Sequence, residues 1–109
     1  MEFERKAIFT PGIQLSRKQK GKEIARVFLY FLENGLHQEP FCYIEDFFIT
    51  DSCQGQGIGT VLFQEIIEIA RANGCYKIIA MSRHRRSRVH AFYKKNGMQD
   101  YGKEFRMDL

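Results

Sequence analysis

No stretch of this sequence stays apolar for the roughly 18 residues that a membrane-crossing helix requires, so nothing in it is expected to span a bilayer. The start, Met1-Glu2-Phe3-Glu4-Arg5-Lys6, lacks the apolar run of a secretory leader. Cysteine is scarce. Cys42, Cys53 and Cys75 are widely spaced, make no CxxC pair and assemble no zinc pattern, so no metal is expected. An odd number of scattered cysteines reads as free thiols, which suits a reducing cytoplasm. Internal repeats and low-complexity tracts are also missing.

What remains describes an ordinary folded chain. Its 109 residues correspond to a single domain, 1–109, large enough for one core. Apolar residues make up 44% and charged residues 28%, and ten Phe with five Tyr argue against disorder. The net charge of +4 suits an anionic ligand or a nucleic acid, though it requires neither.

Read in order, Glu2–Thr10 looks like a short strand ended by Pro11-Gly12. Ile13 and Leu15 then alternate with polar neighbours into the basic tip of a hairpin, Arg17 to Lys22. Glu23–Glu33 is open by pattern alone. Ile24, Ala25, Leu29 and Leu32 could line a helix, yet Val27, Phe28, Tyr30 and Phe31 favour a strand. Phe41–Thr50 reads as a strand. After a glycine-rich loop, Leu62, Ile66, Ile69 and Ala70 recur at helical spacing, while Gln64, Glu65, Glu68 and Arg71 face away, and Gly74 marks the stop. Cys75–Met81 is a nearly all-apolar strand of the kind found in parallel sheets. A helix from about Ser87 to Asn96 ends at Gly97, and Phe105–Leu109 alternates like a terminal strand. The class is α/β, with strands layered against helices.

The loop Gln54-Gly55-Gln56-Gly57-Ile58-Gly59, with Thr60, lies between a strand and a helix. Glycines let a ligand approach the backbone, and a helix start presents unpaired N–H groups and a positive dipole end, so the loop is a natural phosphate site. Spacing narrows the choice. A dinucleotide fingerprint counted from Gly55 needs a glycine where Thr60 stands, and a Walker loop needs a lysine that is absent.

The pattern Gln-x-x-Gly-x-Gly from Gln54 resembles the pyrophosphate loop of the GNAT acetyltransferases. Two further segments agree with it. Tyr43-Ile44-Glu45-Asp46-Phe47-Phe48-Ile49 precedes the loop by a short link. Val89-His90-Ala91-Phe92-Tyr93-Lys94-Lys95-Asn96-Gly97-Met98 is similar to the family's second hallmark helix, with Val89 for alanine and Met98 for phenylalanine. Ile24–Phe48 resembles spermidine/spermine N-acetyltransferases, and Gly74–Ile79 resembles glucosamine-phosphate N-acetyltransferases. The resemblance, which runs from about residue 23 to 109, makes Glu23–Glu33 a strand. It implies a GNAT fold with a mixed central sheet and helices on both faces. Its usual N-terminal helices look shortened or absent, which leaves the acceptor half abbreviated.

The same resemblance implies acetyl-coenzyme A as cofactor and acetyl transfer to a primary amine of a polyamine, an amino sugar or a protein. The coenzyme would lie along Phe47, Phe48, Ile49 and the loop Gln54–Thr60, with amides near Phe48 and Ile49 polarising the acetyl carbonyl. Tyr93 would protonate the leaving thiolate. Glu45 would serve the acceptor amine, with Asp46 beside it. As neighbours on a strand, Glu45 and Asp46 should point to opposite faces, and Tyr43 and Phe47 should share the face of Glu45. The exposed apolar face beside Glu45, together with pairing of Phe105–Leu109 across a two-fold axis, points to a homodimer. The basic run Arg83–Arg88, with His90, could grip a phosphate or an acidic acceptor, or could be solvated surface. Two rival readings remain: a coenzyme A-binding module without efficient catalysis, and a small basic nucleic-acid-binding protein, for which too few aromatics interleave the basic run.

Overall fold

The computed structural model describes all residues, 1–109. The chain divides into two compact units, Met1–Ile79 and Ala80–Leu109. Four strands form one sheet in the order β1-β2-β3-β4: β1 Gly12–Gln19, β2 Lys22–Leu32, β3 Phe41–Ile49 and β4 Ile78–Ala80. The first three are antiparallel neighbours. At the β3–β4 junction, the Tyr76 N–H donates to the Pro40 carbonyl and the Cys42 N–H to the Lys77 carbonyl. Partners that advance together in this way have the parallel sense, so the sheet is mixed.

The hairpin β1–β2 turns on Lys20 and Gly21, both at positive φ (53° and 77°). A two-residue turn of this hand matches the strand twist. In β2 the alternation wins over the helical pattern: Ala25, Val27, Leu29 and Phe31 are buried, and the residues between them are half-buried. Helix α1, Ile58–Ala72, packs against β2 and β3. Its inward residues are Phe63, Ile66 and Ala70, and Phe63, Leu29, Ile66, Val27 and Cys42 are the largest fully buried side chains. Burying a side chain of this size removes it from water for roughly 1.5–3 kcal/mol each.

Three expected strands change. Glu2–Thr10 is not a strand: it is exposed throughout and joins no ladder, and without a pairing partner alternation cannot hold an extended segment. The strand expected over Cys75–Met81 contracts to Ile78–Ala80. The reason is the end of α1, where the Gly74 N–H bonds to the Arg71 carbonyl and the Cys75 N–H to the Ala70 carbonyl. These two bonds, with Gly74 at φ 74°, form a Schellman cap that commits the Cys75 amide to the helix. The tail Phe105–Leu109 is likewise exposed and without strand structure, its Arg106–Asp108 ion pair being only local.

In the second unit, helix α2 spans Ser87–Lys95. The same cap recurs: the Gly97 N–H bonds to the Lys94 carbonyl and the Met98 N–H to the Tyr93 carbonyl, with Gly97 at φ 97°.

Candidate functional site

Between β3 and α1 the chain makes a short 3-10 turn, Asp51–Cys53, and then the glycine loop. The glutamine side chains hold this loop together. The Gln54 amide donates to the Ile49 carbonyl (3.1 Å) and to the Asp51 carboxylate (3.2 Å), and the Gln56 amide donates to the Ser52 carbonyl (3.3 Å). Gly55 and Gly57 adopt φ of 80° and 83°, where a side chain is strained, and a Cβ at either would meet only open space. The backbone is therefore uncovered on that side.

Helix α1 opens on Gly57, which supplies no capping side chain, and its first turn carries no acidic residue. Its first backbone bond is from the Val61 N–H to the Gly57 carbonyl, 3.1 Å. The N–H groups of Ile58, Gly59 and Thr60 lie ahead of that bond, at the positive end of a 15-residue helix. An anion with several acceptor oxygens, such as a pyrophosphate, fits donors in this arrangement.

Strand β3 approaches the loop through a bulge. Ala25 pairs with Ile49 and Arg26 with Phe48, but Phe28 already pairs with Glu45, so Asp46 and Phe47 together oppose Val27. Asp46 takes φ 53°, a left-handed conformation that Asp tolerates better than most side chains. The bulge changes the parity of the strand. Before it the Cys42 amide faces β4; after it the Thr50 amide donates to the Ile24 carbonyl, 2.9 Å, on the β2 side. By alternation the Phe48 amide points toward β2 and the Ile49 amide toward the β4 side.

Glu45 and Asp46 are both exposed, and Glu45 stands on the side of Tyr30 and Tyr43. The shift of parity overturns one expectation about the side chains. Tyr43 and Phe47 do not share a face, since Phe48 now stands on the open side opposite Arg26. That side holds Tyr30 and Tyr43 as cross-strand partners, with ring centroids 6.5 Å apart. The Tyr30 O–H donates to Glu45 Oε1 at 3.4 Å. Partial burial, followed by the charges of Glu45 and Asp46, raises the Tyr30 pKa above its ordinary value of 10.0. Arg26 bonds Glu23 at 2.8 Å and lies over the Phe48 ring at 4.7 Å. Tyr30 escaped the sequence reading because cross-strand register fixes its neighbours, and register is not written in spacing alone.

The second unit presents Tyr93 on α2, half-buried, its ring 5.8 Å from that of Phe92. His90 Nε2 lies 2.8 Å from the Arg83 carbonyl, so that nitrogen donates and ties the helix start to the preceding turn. Arg83, His84, Arg85, Arg86 and Arg88 are exposed. No helix of the chain is long and apolar enough to cross a membrane.

Comparison with known proteins bears on the loop and the fold together. Over 67 residues the chain is 36% identical to the glucosamine 6-phosphate N-acetyltransferase of Trypanosoma brucei brucei, a stretch that covers 62% of this chain. The chain spans 44% of the length of that curated relative. The crystal structure of a Trypanosoma brucei acetyltransferase superposes with a TM-score of 0.79 at 26% identity, covering 90% of this chain and 69% of that one. The glucosamine-6-phosphate N-acetyltransferase of Arabidopsis thaliana gives a TM-score of 0.79 at 19% identity, covering 89% and 66%, and so shares the fold. The profile of the Acetyltransferase (GNAT) family matches residues 4–98. Every strand and both helices fall within that span, and on this match the chain belongs to the GNAT family of acetyltransferases, whose acetyl donor is acetyl-coenzyme A.

Proposed function

We propose that this chain catalyses transfer of an acetyl group from acetyl-coenzyme A to a primary amine of a small molecule, polyamine-like or amino-sugar-like, or of a protein. The observation that carries this reading is the uncapped, acid-free start of α1 beneath Gly55 and Gly57, a donor set suited to the coenzyme's pyrophosphate. When bound, the coenzyme supplies a thioester whose carbonyl carbon accepts the amine. The Ile49 amide, which the bulge turns toward the β4 side, is the better of the two candidate donors to the carbonyl oxygen, with Phe48 directed toward β2.

Glu45 attracts and orients the acceptor ammonium. Direct deprotonation suits it poorly: a carboxylate near pKa 4.3 faces an ammonium near 10.4, a mismatch of about 6 units or roughly 8 kcal/mol. The proton therefore leaves through water, with Glu45 and Asp46 holding the cation. Tyr93 takes the remaining role, donating its phenolic proton to the leaving thiolate. That assignment rests on its place in the second family segment. A homodimer is part of this reading, with Tyr43 and the exposed Phe48 leaving apolar surface on the Glu45 side of the sheet.

The test is calorimetric titration with acetyl-coenzyme A, followed by a screen of amines for release of coenzyme A thiol. Micromolar binding and thiol release with at least one amine are expected. Binding without release from any amine would support a coenzyme-binding module instead, and no binding at all would remove the reading.

A further inference from the structure

Thr50 lies where β3 leaves the sheet, between Ile49 and the 3-10 turn that leads into the glycine loop. Both of its backbone groups are engaged: the N–H donates to the Ile24 carbonyl and the carbonyl accepts the Cys53 N–H, each at 2.9 Å. Its side chain is not. The hydroxyl oxygen is buried and has no hydrogen-bond partner, and the only other buried side-chain oxygen in that state, on Ser82, belongs to the second unit. Threonine at the start of a helical turn commonly caps it, yet Thr50 makes no such bond. The neighbouring polar side chains are all used: Asp51 accepts from Gln54, Ser52 meets the Cys53 sulfur at 3.8 Å, and Gln56 donates to the Ser52 carbonyl. A buried hydroxyl left unpaired costs free energy, and in a folded protein it calls for a partner.

We infer that Thr50 is a further coenzyme-binding residue: its hydroxyl donates to an amide carbonyl of the arm that joins the thioester to the pyrophosphate in acetyl-coenzyme A. This rests on the acetyltransferase reading and adds to its site a side chain outside the loop pattern Gln54–Gly59. Position along the chain gives the class of partner. On one side, in that reading, Ile49 offers its amide to the acetyl carbonyl; on the other, Gly55 and Gly57 leave the backbone open for the pyrophosphate. The arm between those two groups carries amide carbonyls, which accept a hydroxyl proton. Thr50 is half-buried, with its hydroxyl oxygen turned inward. A turn of about 120° about χ1 takes the side chain to its next staggered well, which carries the oxygen out of its buried position without backbone movement.

The experiment titrates acetyl-coenzyme A and 3′-phospho-ADP, which lacks the arm, into the unaltered protein and two variants, and records the thermal unfolding of each without ligand. Thr50→Val keeps the branched shape and removes the hydroxyl; Thr50→Ser keeps the hydroxyl. Thr50→Val should bind acetyl-coenzyme A about five- to tenfold more weakly, the usual worth of one hydrogen bond, and bind 3′-phospho-ADP unchanged. Its melting temperature should stay level or rise, because the group removed had no partner in the folded chain. Thr50→Ser should match the unaltered protein in acetyl-coenzyme A affinity. Unchanged acetyl-coenzyme A affinity in Thr50→Val, an equal loss toward both ligands, or an equal loss in Thr50→Ser would each overturn the inference. So would a lowered melting temperature in Thr50→Val, by showing that the hydroxyl has a structural partner. Those results, with the unaltered protein still binding acetyl-coenzyme A, leave the acetyltransferase reading standing; failure of the unaltered protein to bind it defeats that reading itself.

Discussion

Tyr93 and Cys42 show how differently two ionisable side chains relate to their surroundings. Tyr93 is half-buried on α2 with its ring against Phe92, so Tyr93→Phe keeps the packing and deletes only the hydroxyl. Steady-state kinetics should show coenzyme binding preserved and kcat reduced by about 10²–10⁴-fold, the usual worth of a general acid. Full activity in that variant would assign the thiolate proton to water or to another residue. Cys42 is fully buried on β3. Desolvation, with a smaller contribution from Cys75, raises its thiol from 9.0 to about 11. The unfolded chain therefore loses this proton first, near pH 9, while the folded chain holds it to about pH 11. The contribution is complete below pH 9 and is lost as pH rises through that window. Chemical denaturation at stepped pH should show stability falling between pH 9 and 11, and Cys42→Ala should flatten that slope even though its cavity lowers stability overall.

At the scale of elements, the loop and α1 act as one piece. The Gln54 and Gln56 amides fix the loop to the end of β3 and to the 3-10 turn, which leaves the backbone of Gly55 and Gly57 uncovered before the helix start. Gly57→Asp places a side chain at φ 83° and a negative charge at the site proposed for the pyrophosphate. Left-handed backbone costs a non-glycine residue roughly 1–2 kcal/mol, which the fold should survive. Acetyl-coenzyme A binding should weaken by well over tenfold by calorimetry. A folded variant that binds as before would remove the loop from the site. The bulge in β3 is the other decisive element. One extra residue re-aims Asp46 and reverses which amides face β4. No residue type announces it, since Glu45-Asp46-Phe47-Phe48 reads as regular strand.

At the scale of the whole molecule, exposed apolar side chains occur in each unit: Phe3, Ile8 and Phe9 in one, Tyr101, Phe105, Met107 and Leu109 in the other. The homodimer belongs to the proposed reading and is tested directly. Sedimentation equilibrium at micromolar concentration should give twice the 12.9 kDa chain mass; a monomer at that mass would sink the dimer.

By itself the sequence determined the class of fold, the glycine loop between strand and helix, and the two helices, because these depend on local rules. The helical period around Ile66, the glycine stops at Gly74 and Gly97 and the spacing from Gln54 to Gly59 need no knowledge of neighbours. Even there, Phe63 was missing from the expected inner face although it is fully buried. Tertiary structure alone decided the rest. Glu2–Thr10 and Phe105–Leu109 have strand-like composition, yet a strand exists only where a ladder partner completes it. The grouping of Tyr30, Tyr43 and Glu45 arises from the register of β2 against β3, so it came into view only once those strands were paired.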